Sequence, residues 1–264
     1  VYSQIVVPLD GGPFSQRALG PATRLAVASD ADMLLVAYAR TDSHRRDLEA
    51  VMAEIAAEER PCAVRTKVEI VDNVASAVVH EVDAEPGSLV CMSSVGRSRS
   101  ELVIGSVAEA VLRDVSTPVL LVGPSVDVDR FRLEGTMDVS VDESSTSHAI
   151  LPIAASWSIV FHLALRVVTV LPVSTTAEPP LESAQVHHIA NELQRDVDLP
   201  VDFDVLHGDA AACIIDDVTH HANLLAMSTH GHTGLKRLAA GSVAMAVVHG
   251  SIRPVLVYRP EHFR

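Results

Sequence analysis

The sequence predicts an α/β protein of two tandem, doubly wound sheets, each of five parallel strands with helices on both faces. Three observations predict it. Blocks of the first half recur, in order, in the second half. Short β-branched runs alternate with helix-like stretches, and several of those runs are apolar on both faces.

The repetition decides the architecture. "VVPLDGGPFSQRALGPATRLA" is echoed by "DVSVDESSTSHAILPIAASWS", so that Asp142 matches Asp10. "VEIVDNVASAVVHEV" is echoed by "FDVLHGDAAACIIDDV", and "GSLVCMSSVG" by "ANLLAMSTHG", which matches Gly231 to Gly96. "GSVAEAVLRDVSTPVLLVGP" is echoed by "GSVAMAVVHGSIRPVLVYRP", with Pro254 matched to Pro118. Four matched blocks in one order, at nearly constant offset, make a duplicated domain rather than a solenoid. Domains are expected over 1–126 and 134–264, joined through the polar "SVDVDRFRLEG" at 125–135.

The elements of the first copy follow in order. Strands are expected at 5–8, 33–39, 66–71, 88–93 and 118–122, and helices at 15–29, 43–59, 74–82 and 106–114. Runs such as "MLLVAYA" and, in the second copy, "LRVVTVL" carry no polar face, as parallel strands covered on both sides require. The order βαβαβαβαβ implies right-handed crossovers. The last strands, "PVLLVGP" and "RPVLVYRP", are apolar and would leave exposed edges in separated domains.

Composition removes whole classes of function. With 48% apolar residues the chain is not disordered, and no apolar run approaches the roughly 18 residues of a membrane span. "VYSQIVVPLDGG" reads as a strand and turn rather than a signal peptide. A net charge of −14 argues against a nucleic-acid binder, and "GRSRS" at 96–100, the one concentrated positive patch, is followed at once by Glu101. Cys62, Cys91 and Cys213 are far apart and show neither disulfide nor zinc spacing, which suits a cytoplasmic protein.

In an open α/β sheet, ligands bind beyond the carboxyl ends of the strands, where strand order reverses. Two features of each copy fall there: the acid closing the first strand, Asp10 or Asp142, and the loop leaving the fourth. In "STHGHTGLKRLAAGS", residues 228–242, Gly231 and Gly241 free the backbone to take positive φ and to approach a ligand. Ser242 is expected at the N-cap of the last helix, where free N–H groups and the helix dipole favour phosphate. The loop is neither a Walker A nor a GxGxxG turn. His230, His232, Lys236 and Arg237 are as readily solvated loop residues as phosphate contacts.

These residues resemble the universal stress protein family in its tandem form, over nearly the whole of both copies. The resemblance rests on "VVPLDGGPFSQRAL", "STHGHTGLKRLAAGSVA" and "RPVLVYRP". ATP-binding members carry Gly-x-x-Gly, nine residues, then Gly-Ser or Gly-Thr. Here Ser228 stands for the first glycine, and Gly231, nine residues at 232–240, Gly241 and Ser242 complete the pattern. The resemblance implies that Asp142 holds the adenosine part, Val170 lines the adenine pocket, and Gly231, Gly241 and Ser242 hold phosphates, with Mg2+ accompanying ATP. It also implies that the two copies pair through their last strands as a pseudo-dimer. The first copy departs further: Ser93 replaces the first glycine, and Gly96 and Gly105 enclose only eight residues, 97–104. Its candidate residues are Asp10, Tyr38, Gly96, Gly105 and Ser106, as a weaker second site. Tyr38 can fill the adenine pocket or stack on the base, and Arg97 and Arg99 can supply charge.

The expected function is an adenine-nucleotide-binding regulatory protein in stress response, without a dedicated catalytic group. The alternatives are a nucleotide-free interaction protein of the same fold and a nucleotide hydrolase of the related adenine-nucleotide α-hydrolase group. Homodimerisation of whole chains is a further expectation. The pairs His187–His188 and His220–His221 are helix neighbours that do not share a face, which counts against a metal site. Ser144 and Ser145 are expected to cap the next helix, and Trp157 and Phe161, at helical spacing, to pack in the core.

Overall fold

The computed structural model describes residues 2–96, 104–173, 179–229 and 241–260. The first copy runs β1 (Gln4–Leu9), α1 (Pro13–Gln16), α2 (Leu19–Ser29), β2 (Asp32–Ala39), α3 (Asp42–Ala57), β3 (Val64–Ile70), α4 (Val74–Ala84), β4 (Ser88–Ser93), α5 (Ser106–Asp114) and β5 (Val119–Val122). The second begins with β6 (Thr136–Ser140) and a 3-10 turn, Ser147–Ile150, that leads into α6 (Leu151–Phe161). It continues through β7 (Ala164–Leu171), α7 (Pro179–Leu193), β8 (Val201–His207), α8 (Ala210–His221), β9 (Leu224–Ser228), α9 (Ser242–Gly250) and β10 (Val255–Tyr258). Among the described residues no helix is long and apolar enough to cross a membrane.

Local chemistry fixes the helix ends. Thr41, Asn73 and Asp209 cap α3, α4 and α8, their side-chain oxygens accepting from the backbone N–H of His44, Ser76 and Ala212. α2 and α6 end on left-handed residues at matched positions, Asp30 and His162, with φ of 52° and 54°. The helix expected over 15–29 is instead broken between α1 and α2. Pro21 has no N–H and its ring crowds the carbonyl of Arg17, so it is accommodated only in the first turn of a new helix.

The two five-stranded halves join edge to edge through their last strands. They form one sheet, in the order β3-β2-β1-β4-β5-β10-β9-β6-β7-β8. Within each copy every pair is parallel; at the centre β5 and β10 run antiparallel, with Val119, Leu120 and Leu121 opposite Val257, Leu256 and Val255. All six residues are buried, so the apolar last strands meet each other as expected. The outer strands β3 and β8 are partly exposed and carry Arg65, Lys67, Glu69, Asp202 and Asp204, which discourages further pairing.

Two apolar layers, one on each face of the sheet, take residues from both copies. Trp157 and Phe161 pack in one of them with ring centroids 4.9 Å apart, and the Trp157 indole N–H donates to the Tyr2 hydroxyl at 2.8 Å. The segment joining the copies is not simply solvated. Phe131 is fully buried in the same layer and Val126 nearly so.

Candidate functional site

In each copy the strand order reverses between the first and fourth strands, which lie side by side. Their carboxyl ends therefore open a crevice, with a helix N-terminus across from it. Asp10 and Asp142 each follow the first strand, and each is half-buried. Asp10 Oδ1 accepts from the N–H of Gly12 at 2.8 Å, and Asp142 Oδ1 from the N–H of Ser144 at the same distance. Both acids are thus held in the same backbone turn.

A later serine completes each turn. Ser147 Oγ accepts from the N–H of Asp142 at 3.0 Å and lies 2.9 Å from the carbonyl oxygens of Asp142 and Ser144. Ser15 Oγ accepts from the N–H of Asp10 at 3.2 Å and donates toward its carboxylate at 2.7 Å. Sequence reasoning passed over both serines, although each holds the same place after its aspartate in the two copies. Ser144, expected to cap the next helix, accepts from the N–H of Ser147 at 3.1 Å; Ser145 takes no such part, and Thr146 sits at the formal cap of the 3-10 turn.

Across the crevice, α5 and α9 start alike, and here an expectation is corrected. Gly241, not Ser242, is the N-cap of α9, and Ser242 is its first helical residue. Gly241 also has φ of −68°, so it is not there to take a positive φ. Its N–H donates to the Thr229 carbonyl at 2.5 Å, and a Cβ on Gly241 would lie only 3.0 Å from that oxygen. Close backbone approach, not handedness, demands the glycine. Gly105 makes the matching bond to the Ser94 carbonyl at 2.7 Å, but its nearest Cβ neighbours are 3.6 Å off, so the first copy is less constrained. Gly96 packs against the acid, its Cβ position 3.3 Å from Asp10 Oδ2.

Each crevice widens into a cavity. The second, about 310 Å³, is lined by Asp142, Val170, Ile214, Met227, Ser228 and the first turn of α9 from Gly241 to Ala244. The first, about 210 Å³, is lined by Asp10, Tyr38, Met92, Gly96 and the first turn of α5 from Gly105 to Ala108. Tyr38 and Val170 occupy matched positions on β2 and β7. Tyr38 is buried, its hydroxyl pK raised by that burial and by Glu81 and Glu69. The tyrosine takes up space that the valine leaves open. In both cavities apolar residues of the strands and of α4 or α8 form one part of the lining, and the first turn of a helix forms another.

The two serines in place of glycine differ. Ser228 Oγ donates to the Ser147 carbonyl at 3.1 Å, tying β9 to the turn that holds Asp142. Ser93 Oγ instead donates to the Val95 carbonyl at 2.9 Å, within its own loop. Thus Asp142, Val170, Ser228, Gly241 and Ser242 come together, as do Asp10, Tyr38, Gly96, Gly105 and Ser106. Gly231, with His230, His232, Lys236 and Arg237, and also Arg97 and Arg99, lie outside the described residues. Of the histidine pairs, His187 lies against the Phe203 ring while His188 faces Glu192; the His220 and His221 rings lie 6.3 Å apart, facing Asp216 and Asp217.

The family model described as "Universal stress protein family" matches residues 2–123 and 137–259. No curated protein matches the sequence. Solved structures do. A universal stress protein of Archaeoglobus fulgidus DSM 4304 superposes with a TM-score of 0.74 at 16% identity, over 97% of this chain and 98% of that one. A functionally unknown protein of Pseudomonas aeruginosa PAO1 gives 0.69 at 18% identity, over 100% and 94%. The cytoplasmic domain of a prokaryotic cation chloride cotransporter gives 0.52 at 13%, over 97% and 95%. At these identities the structures speak for the fold alone.

Proposed function

The chain belongs to the universal stress protein family, and on that footing we propose that its second copy binds an adenine nucleotide, ATP, as a regulatory ligand in stress response. One observation carries the reading. The second cavity, at about 310 Å³, joins an apolar wall that suits a base to a helix N-terminus that suits phosphate, and Asp142 stands between them. Val170, Ile214 and Met227 would face the base, Asp142 the ribose hydroxyls, and the first-turn N–H groups of α9 the phosphates. Any Mg2+ would enter on the phosphates, since among the described residues no three His, Cys, Asp or Glu side chains converge. The overall charge of −14 does not oppose this, because a few aligned N–H groups at contact distance outweigh screened, distant carboxylates. The first cavity, narrowed by Tyr38, is the weaker site. No dedicated catalytic group is assigned: the acids are engaged in turns, and among the described residues the hydroxyls of Ser93 and Ser228 donate to backbone carbonyls rather than to a base.

A second reading, a nucleotide-free interaction protein, draws on Ser228, whose hydroxyl is engaged with Ser147 rather than leaving the close approach a glycine would allow. The two separate cleanly. Mass spectrometry of small molecules released from the denatured protein, with calorimetric titration of ATP, should give about one nucleotide per chain. Gly241→Val should weaken binding by roughly 10- to 100-fold, the loss of a contact worth about 1.5–3 kcal/mol. Gly105→Val, placed in the first copy, should leave it unchanged. No nucleotide released and no heat of binding favours the interaction protein, while turnover of ATP to AMP and pyrophosphate favours the hydrolase.

A further inference from the structure

One buried ionic cluster takes no part in that site, and its strand pair has no charged counterpart in the first copy, where Glu81, at the place of Asp217, instead pairs with Lys67 on β3. Asp138 on β6 and Arg166 on β7 are register partners, and the guanidinium grips the carboxylate with two hydrogen bonds of 3.0 Å. The same Nη2 that bonds Asp138 Oδ2 also donates to Asp217 Oδ2 on α8. Asp138 is 1% exposed, Asp217 7% and Arg166 9%. Around them, Asp204 on β8 stands 3.6 Å from Arg166, and His221 on α8 stands 3.9 Å from Asp217; both side chains are about half exposed. The neighbours from β9 and α9, Leu225, Met227, Val247 and Val248, are apolar.

At the matched positions of β1 and β2 the first copy has Val6 and Leu34, packed in the same apolar layer, so the fold itself does not require these charges. One buried cation faces two buried carboxylates. The surplus negative charge is costly in a low dielectric, and binding a proton removes it. We propose that Asp138 and Asp217 hold one proton between them beneath Arg166, making the cluster a pH-sensitive staple that fixes α8 on the sheet. α8 also supplies Ala210 and Ile214 to the second cavity, so the staple sits under its wall.

Electrostatics agree with the geometry. Burial pushes the Asp138 carboxyl up to about 6; the hydrogen bond and charge of Arg166 pull it down, and Asp217 adds to the rise. A carboxyl raised on folding stabilises the protein fully below its unfolded value, near 4, and loses that contribution as pH rises through about 6. Acidification from pH 7.5 to 5 should therefore lower the unfolding constant of the wild type about tenfold relative to Asp138→Asn, which cannot titrate.

Urea unfolding of the full chain across that range, with wild type, Asp138→Asn and His221→Gln, tests this. The tenfold change should persist in His221→Gln, and amide exchange within α8, corrected for its intrinsic pH dependence, should slow on acidification in wild type but not in Asp138→Asn. A flat difference, a change of opposite sign, or one abolished by His221→Gln overturns the proposal. Should Asp138→Asn fail to fold, carboxyl carbon-13 titration of the unmutated protein decides. An aspartate titrating near pH 6 supports the shared proton, and all aspartates titrating below pH 5 refute it. None of these measurements involves nucleotide, so they stand or fall apart from the binding site.

Discussion

Gly123→Ala should unsettle the junction between the copies. Gly123 follows β5 and faces the end of α9; a Cβ there would lie 2.0 Å from the Val248 carbonyl oxygen and 3.2 Å from its carbon. Carbon and oxygen come no closer than about 3.3 Å even in favourable contacts, so the two backbones must part by more than about 1 Å. Neither is a side chain that can rotate away, and Val248 is itself buried. Overpacking of this kind costs about 1–3 kcal/mol. The opposing gain, from a stiffer unfolded chain, is about 0.4–1 kcal/mol and does not win. Gly123 is not among the positive-φ glycines, so the effect is steric alone. A net loss of about 1–2 kcal/mol corresponds to a fall in Tm of roughly 2–8 °C for a chain of this size. Gly250→Ala is the control. Its Cβ would meet Ile215 Cδ1 at 2.5 Å, the tip of a side chain that can turn aside, and the position ends a helix. It should cost less than about 1 kcal/mol. Calorimetric melting of both variants decides the matter: a Gly123→Ala protein as stable as wild type, or a Gly250→Ala protein less stable than it, refutes the reasoning.

Two further outcomes follow from the site. Val170→Tyr should reduce the second cavity toward the 210 Å³ of the first and weaken ATP binding at least tenfold in calorimetric titration, with unfolding by urea little changed; undiminished affinity would mean that the base does not lie there. Ser147→Ala leaves the Asp142 N–H without its 3.0 Å acceptor and should cost about 1–3 kcal/mol in urea unfolding, together with a loss of ATP affinity as the turn relaxes. A stability loss with binding intact would detach this turn from the ligand.

The architecture was legible because parallel, doubly covered strands need apolar residues on both faces, and few other structures do. β4 is buried from end to end and its expected bounds coincide with those observed. Where the reading failed, a non-local effect had intervened. The break ahead of Pro21 passes unnoticed in a helical periodicity that continues through it. Phe131 lies among charged neighbours in a polar stretch, and only the assembled core shows that it fills a gap. The pairing of the apolar last strands, by contrast, is seen as expected, edge to edge in one continuous sheet.

Candidate site residues were visible where chemistry and repetition coincide, as in Asp10 and Asp142, and less so where a residue acts through the backbone. Gly241 was singled out for positive φ and for close approach to a ligand; its φ is negative and the close approach seen is to the Thr229 backbone, a distinction sequence cannot draw. Asp138, Arg166 and Asp217 were missed because they stand far apart from one another along the chain and only the sheet brings them together. Their signal was comparison of the copies: charges in a strand pair whose twins are Val6 and Leu34. The first copy, even with its cavity narrowed by Tyr38, also packs against the second. α9 begins at the second cavity and ends against Gly123, and both core layers run through both copies. The wall that would receive phosphate is therefore braced from the other half of the chain, and a second copy expressed alone would lose that brace along with the β5 partner of β10.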